Sequence, residues 1–149
     1  MPANTSPIFG LTPNVSSVTI TTTAANVSSA GGGTLGSTIF KVFTSGANGS
    51  FIQKIRFMSV ATTPTNSVAT VLRIFISTIS TGATTAADTF LIGELSVPLI
   101  ASSNATNASN FYDYPLNFAL SSGEYIHVTQ HVAQTTNQNW IATAIGSDY

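Results

Sequence analysis

The sequence predicts an all-β fold: a two-sheet antiparallel sandwich of about eight strands, with jelly roll as its form and an extended N-terminal arm before it. Three observations lead there. The apolar runs are short, rich in β-branched and aromatic residues, and bounded by clusters of Gly, Asn, Ser and Pro. Almost no stretch keeps a 3.6-residue period for the length of a helix. A length of 149 residues suits one core.

The opening stretch, MPANTSPIFGLTPNV, holds Pro2, Pro7 and Pro13, which deny the backbone helix and central strand alike. It reads as an arm over residues 1–15, followed by one sandwich domain over 16–149. Pro7, Ile8, Phe9 and Leu11 make the arm greasier than a solvated tail requires, so they are candidate contact residues. Packing along its own domain is the equal alternative.

Eight strands follow: SVTITTT (17–23), STIFKVFT (37–44), FIQKIRFMSVA (51–61), SVATVLRIFIST (67–78), TFLIGELSVPL (89–99), YPLNFAL (114–120), EYIHVTQHV (124–132) and NWIATAIG (139–146). Alternation assigns their faces. In 51–61, Phe51, Gln53, Ile55 and Phe57 share one side. Lys54 and Arg56 lie on the other with Ile52 and Met58, which marks that side as outward. Leu72, Ile74 and Ile76 oppose Arg73, and Ile126, Val128 and Val132 oppose His127, Thr129 and His131. The Asn-Gly of GANGS (46–50) is a hairpin cue, SSGE (121–124) is a second compact turn, and 24–36 and 101–110 are longer polar loops.

Charge narrows the function classes. Four Lys and Arg stand against five Asp and Glu, for a net charge of −1. Charged residues are 6% of the chain against roughly 25% in an average domain, so hydroxyls and amides must keep the surface wet. The cations Lys41, Lys54, Arg56 and Arg73 are scattered, which gives little affinity for a phosphate backbone and sets nucleic acid aside. With no cysteine there is neither a disulfide framework nor a thiolate metal site. The N-terminus lacks the pattern of a secretory signal, and the longest apolar stretch, 90–101, is too short and too interrupted by Glu94 and Pro98 to span a membrane. Near-zero charge with positive mean hydropathy suits a protein that ends in an assembly.

No motif specifies chemistry. His127 and His131, four apart on one strand face, are separated by about 13 Å at ~3.3 Å per residue, too far to clamp one ion; surface or interface hydrogen bonding is their expected role. The five acids form no dyad or calcium loop in sequence, and no G-x-S-x-G nucleophile motif is present, so no enzyme, catalytic residue, metal or cofactor is expected. AGGGTLG lacks the Lys-Ser/Thr ending of a phosphate loop. Phe111, Tyr112 and Tyr114 could stack a sugar or pack inward at the start of a strand. Trp140 reads as core.

The runs GANGSFIQKIRF, VLRIFIS, LIGELSVP, LSSGEYIHVTQ and the closing WIATAIGSDY give the chain, over roughly residues 46–149, a resemblance to tailed-bacteriophage head decoration, or cement, proteins. The marks are an Asn-Gly turn before a strand with paired basic residues, a glycine turn before the penultimate strand, and a final A-x-G-x-D-Y. The resemblance implies a jelly-roll homotrimer on the outer capsid surface of a virion assembled in the host cytoplasm. Its partners would be the major capsid protein and itself, and Lys54 and Arg56 would help specify docking. The family shares no catalytic residues to transfer. The rival reading is a receptor- or glycan-binding β-sandwich of a phage fibre or spike, with a glycan as partner.

Overall fold

The computed structural model describes residues 10–21, 23–101 and 110–149. In chain order the strands are β1 (Thr12–Ile20), β2 (Gly33–Thr34), β3 (Phe40–Thr44), β4 (Ser50–Ala61), β5 (Thr70–Ser77), β6 (Ala83–Thr84), β7 (Thr89–Val97), β8 (Phe111–Leu120), β9 (Tyr125–Gln130) and β10 (Gln138–Asp148). Eight of them build two four-stranded sheets, ordered β1-β10-β4-β8 and β3-β9-β5-β7, while β2 and β6 pair separately. The antiparallel pairs β1 with β10, β3 with β9, β4 with β8 and β5 with β7 nest as if one long hairpin had been folded across itself. That connectivity is a jelly roll.

The inward sides form the core. Trp140, Ala142 and Ala144 of β10, Ile55 and Phe57 of β4, Leu72 and Ile74 of β5, and Ile126 and Val128 of β9 are all fully buried in it. Small alanines on β10 sit beside large residues on β4, with Ala142 opposite Phe57 and Ala144 opposite Ile55, a small-against-large pairing within the buried layer. From the edge strand β8, Tyr112, Tyr114, Leu116 and Phe118 pack against the same cluster.

Three expectations need correction. Alternation over 51–61 breaks at Gln53: Gly146 opposes Ile52 while Ile145 opposes Lys54, so Gln53 is an extra residue on β4. The bulge reverses the parity of the strand, which buries Ile52 together with Ile55 and leaves Phe51 on the outer side. The first strand starts earlier than expected, at Thr12, so residues 12–15 belong to the sheet and not to a free arm. Pro13 is tolerated because β1 lies at an edge and pairs only with β10.

The third correction concerns the outer side of the second sheet, where Arg73 and His127 are buried. The chain between β1 and β3 and the turn between β5 and β7 cover it. The Arg73 guanidinium donates to the Asn26 carbonyl and to Glu94, and the Lys41 ammonium reaches the Ser80 carbonyl. Ile39 and Phe75, both fully buried, lie outside the main core cluster and give this layer its own apolar content.

His127 lies between Lys41 on β3 and Phe75 on β5, nearly parallel to the Tyr125 ring at 6.4 Å. Neither of its ring nitrogens has a hydrogen-bond partner. Burial, reinforced by the Lys41 charge and opposed by Asp88, pushes the imidazole down to about 4. The unfolded chain takes up this proton near pH 6.5, so unfolding gains protons between those values. Stability should therefore be level with respect to His127 above pH 6.5 and fall by about 3 kcal/mol as the pH drops to 4. Urea unfolding across that range measures it, and in a His127→Phe variant this slope should disappear.

Candidate docking surface

On the first sheet the residues between the core positions point outward, and register arranges them in rows across four strands. One row is Val15, Ile145, Lys54 and Pro115; the next is Ser17, Thr143, Arg56 and Asp113; the third is Thr19, Ile141, Met58 and Phe111. Val15 is 59% exposed and Phe111 55%. Ile141, Ile145 and Met58 are partly exposed. The surface is thus apolar and hydroxyl-bearing, with one charged group at its centre.

That group is a carboxylate held by two cations. The Lys54 ammonium donates to Asp113 Oδ2 at 2.7 Å, while Arg56 Nε donates to Oδ1 at 2.7 Å and Nη2 to Oδ2 at 2.9 Å. The Arg56 guanidinium also lies 4.4 Å from the centre of the Phe111 ring, a cation–π contact. The hydrogen bonds from Arg56 first, and then from Lys54, hold the Asp113 carboxyl well below the usual carboxylate range, and Arg56 is raised in turn. Two cations on one anion leave one net positive charge. Lys54 and Arg56 therefore do share an outward side, but they are engaged with each other's partner. The sequence does not link Asp113 to Lys54 and Arg56, because only the β4–β8 register brings it opposite Arg56.

The other candidates fall out differently. Leu11 is 79% exposed, and its backbone N–H donates to the Asp148 carbonyl at 2.7 Å. Pro7, Ile8 and Phe9 lie outside the described residues. Tyr112 and Tyr114 turn inward, Tyr112 with its ring 6.2 Å from Trp140, so the aromatic stretch offers only Phe111 to a ligand. Trp140 is fully buried. Among the described residues, no group of three or more His, Cys, Asp or Glu could hold a metal ion.

The closing AIGSDY has a structural task. A Cβ at Gly146 would meet the Phe51 carbonyl oxygen at 2.4 Å, so the bulge on β4 requires glycine opposite it. The Asp148 carboxylate accepts from Asn14 of β1 and Ser50 of β4, and these bonds keep it below its ordinary value. In the Asn-Gly turn, Gly49 adopts φ 92° with the Leu120 carbonyl where a side chain would stand.

No family model matches the chain, and no curated protein matches it. Among solved structures it is similar to a chain of the cyanophage Pam1 capsid asymmetric unit, at 18% identity over 98% of this chain and 97% of that one, with a TM-score of 0.40.

The three-residue charge cluster predicts a titration. By NMR the Asp113 carboxyl should protonate below the usual carboxylate range, and a Lys54→Gln/Arg56→Gln variant should move it back up toward the ordinary value.

Proposed function

We propose that the protein is a virion structural protein that sits on the outside of a phage head as a cement protein, bridging major capsid subunits through the outer face of its first sheet. The observation that carries this reading is that face: Val15 and Ile145 in one outer row and Ile141, Met58 and Phe111 in another, flanking a hydroxyl-bearing middle row, with a single Lys54–Asp113–Arg56 cluster among them. A mixed apolar and hydroxyl-bearing sheet face with one charged centre suits a protein partner, the apolar residues supplying burial and the charges supplying register.

Three further facts support it. The chain has a net charge of −1 and few charged groups of either sign, so little repulsion opposes close packing in a shell. Jelly rolls recur in capsid architecture, although the fold by itself does not decide function. The resemblance to decoration proteins rests on the Asn-Gly turn, the paired basic residues and the A-x-G-x-D-Y end. Under this reading the protein carries no catalytic residue, is located on the outer capsid surface, and acts as a homotrimer.

The test is co-sedimentation with undecorated heads. Saturable binding is expected, and a Lys54→Glu/Arg56→Glu variant, which places three anions together, should bind at least about tenfold more weakly while keeping its fold. Unchanged occupancy by that variant would remove the face from the reading. Removing residues 2–10 spares β1, and should lower occupancy without lowering the melting temperature.

A further inference from the structure

A buried imidazole with nothing to bond is costly, and His127 is such a group: it has no exposed surface, and neither ring nitrogen has a partner among the described residues. Its neighbours come from four places. Lys41 on β3 and Phe75 on β5 flank it across the sheet, Tyr125 lies beside it on β9, and the Asp88 carboxylate acts on it from the turn before β7. Both charged neighbours are already engaged. Asp88 accepts from Thr85 and Thr89, while the Lys41 ammonium donates to the Ser80 carbonyl and sits over the Tyr125 ring. One row further along the sheet, Arg73 and Glu94 are bonded to each other beside Thr129.

The cover over this side is slight. Its two parts, the chain from β1 to β3 and the turn from β5 to β7, are joined by the two-residue strands β2 and β6 and by the Leu35 N–H donating to the Gly82 carbonyl. So short a pair does not hold itself together in water. One end of the cover is pinned to the sheet at Asn26, whose N–H donates to the Gln130 carbonyl and whose own carbonyl accepts from Arg73. At the His127 row the Lys41 bond to Ser80 ties it down. Ile39 and Phe75 are buried in this layer but lie apart from the main core cluster, so the core is built without them.

We infer that the cover is an acid-released flap: a proton taken up by His127 lifts it from β5 and β9, with Asn26 as the hinge, while the sandwich stays folded. A charged ring is poorly accommodated under the closed cover. Lys41 repels it, the Asp88 oxygens are occupied, and no acceptor stands at either nitrogen. Opening brings water to both nitrogens and bares Ile39 and Phe75. Asp88, held below its ordinary value by the Thr85 and Thr89 bonds, stays charged down to pH 4 and adds nothing to the change above it. The closed form is therefore fully favoured above pH 6.5 and loses ground as the pH falls. With the ring titrating at about 4 when covered and at 6.5 when hydrated, the ratio of open to closed should rise about a hundredfold from pH 7 to pH 4. The flap lies on the second sheet and is independent of the capsid reading, which uses the first.

Thiol labelling tests it, since the chain has no cysteine of its own. Ile39→Cys places a probe in the covered layer, and Val128→Cys, on the same strand as His127 but facing the core, reports on the sandwich. Dithiodipyridine reacts with thiols in acid, and each rate is divided by that of the urea-unfolded variant at the same pH. The corrected rate at position 39 should rise about a hundredfold from pH 7 to pH 4 and exceed that at position 128 at every pH. In an Ile39→Cys/His127→Phe variant the rise should vanish. Circular dichroism checks folding, with Phe75→Cys and His127→Leu as replacements for a variant that fails. Equal rates at the two positions would mean that the cover opens only with the whole fold, and would overturn the inference. So would a rate at position 39 that ignores pH, or a rise that survives the loss of His127.

Discussion

The extra residue at Gln53 governs how the first sheet presents its two sides. Between the same two levels of the sheet the chain takes one step on β10, from Ile145 to Gly146, two on β4, from Lys54 to Ile52, and three on β8, from Pro115 to Phe118. The strands therefore fan out from β10 toward the β8 edge, and the sheet bends at that level. Ile52 and Ile55, three apart, both enter the core as a result. Had Gln53 been paired regularly and not bulged out, Ile52 would share the outer side with Lys54 and Arg56, and the core would lose one of its fully buried side chains. Gly146 is the local condition for the bulge, and the Asp148 bonds to Asn14 and Ser50 hold the same end of the sheet together.

Much of the architecture was legible because its causes are local. Short runs of β-branched and aromatic residues, the Asn-Gly turn and the absence of helical periodicity all act within a few residues, and seven of the eight expected strands overlap the observed ones over most of their length. β1 is the exception, because proline excludes only a central strand and β1 lies at an edge. What remained hidden was non-local. Which strands neighbour one another depends on how the long hairpin folds across itself, and no residue announces that. Hence Asp113 could not be linked with Lys54 and Arg56, though all three were in view. The burial of His127 and Arg73 was invisible for the same reason: alternation identified the side they occupy, while the cover over that side comes from distant loops.

The molecule also illustrates how a chain with nine formal charges satisfies its polar groups. Neutral side chains carry most of the work at the sheet margins. Ser67 Oγ accepts from the Ile100 N–H, Thr70 Oγ1 from the Val132 N–H, and Gln134 Oε1 from the Val68 N–H, closing one end of the second sheet without an ion pair. The Ser77 and Thr89 hydroxyls bond to each other across β5 and β7. Because such bonds are insensitive to salt, ionic strength acts on this protein chiefly through Lys54, Arg56 and Asp113 and through the few other charged side chains.

The scarcity of lysine has a practical consequence. Lys41 and Lys54 are the only side-chain amines in the chain, one on the outer side of the second sheet with its ammonium at the Ser80 carbonyl and the other in the outer rows of the first sheet. Each sheet thus carries a single lysine as its chemical handle. Acylation or amine-directed cross-linking of side chains, which on most proteins scatters over many sites, has here one reporter on each sheet.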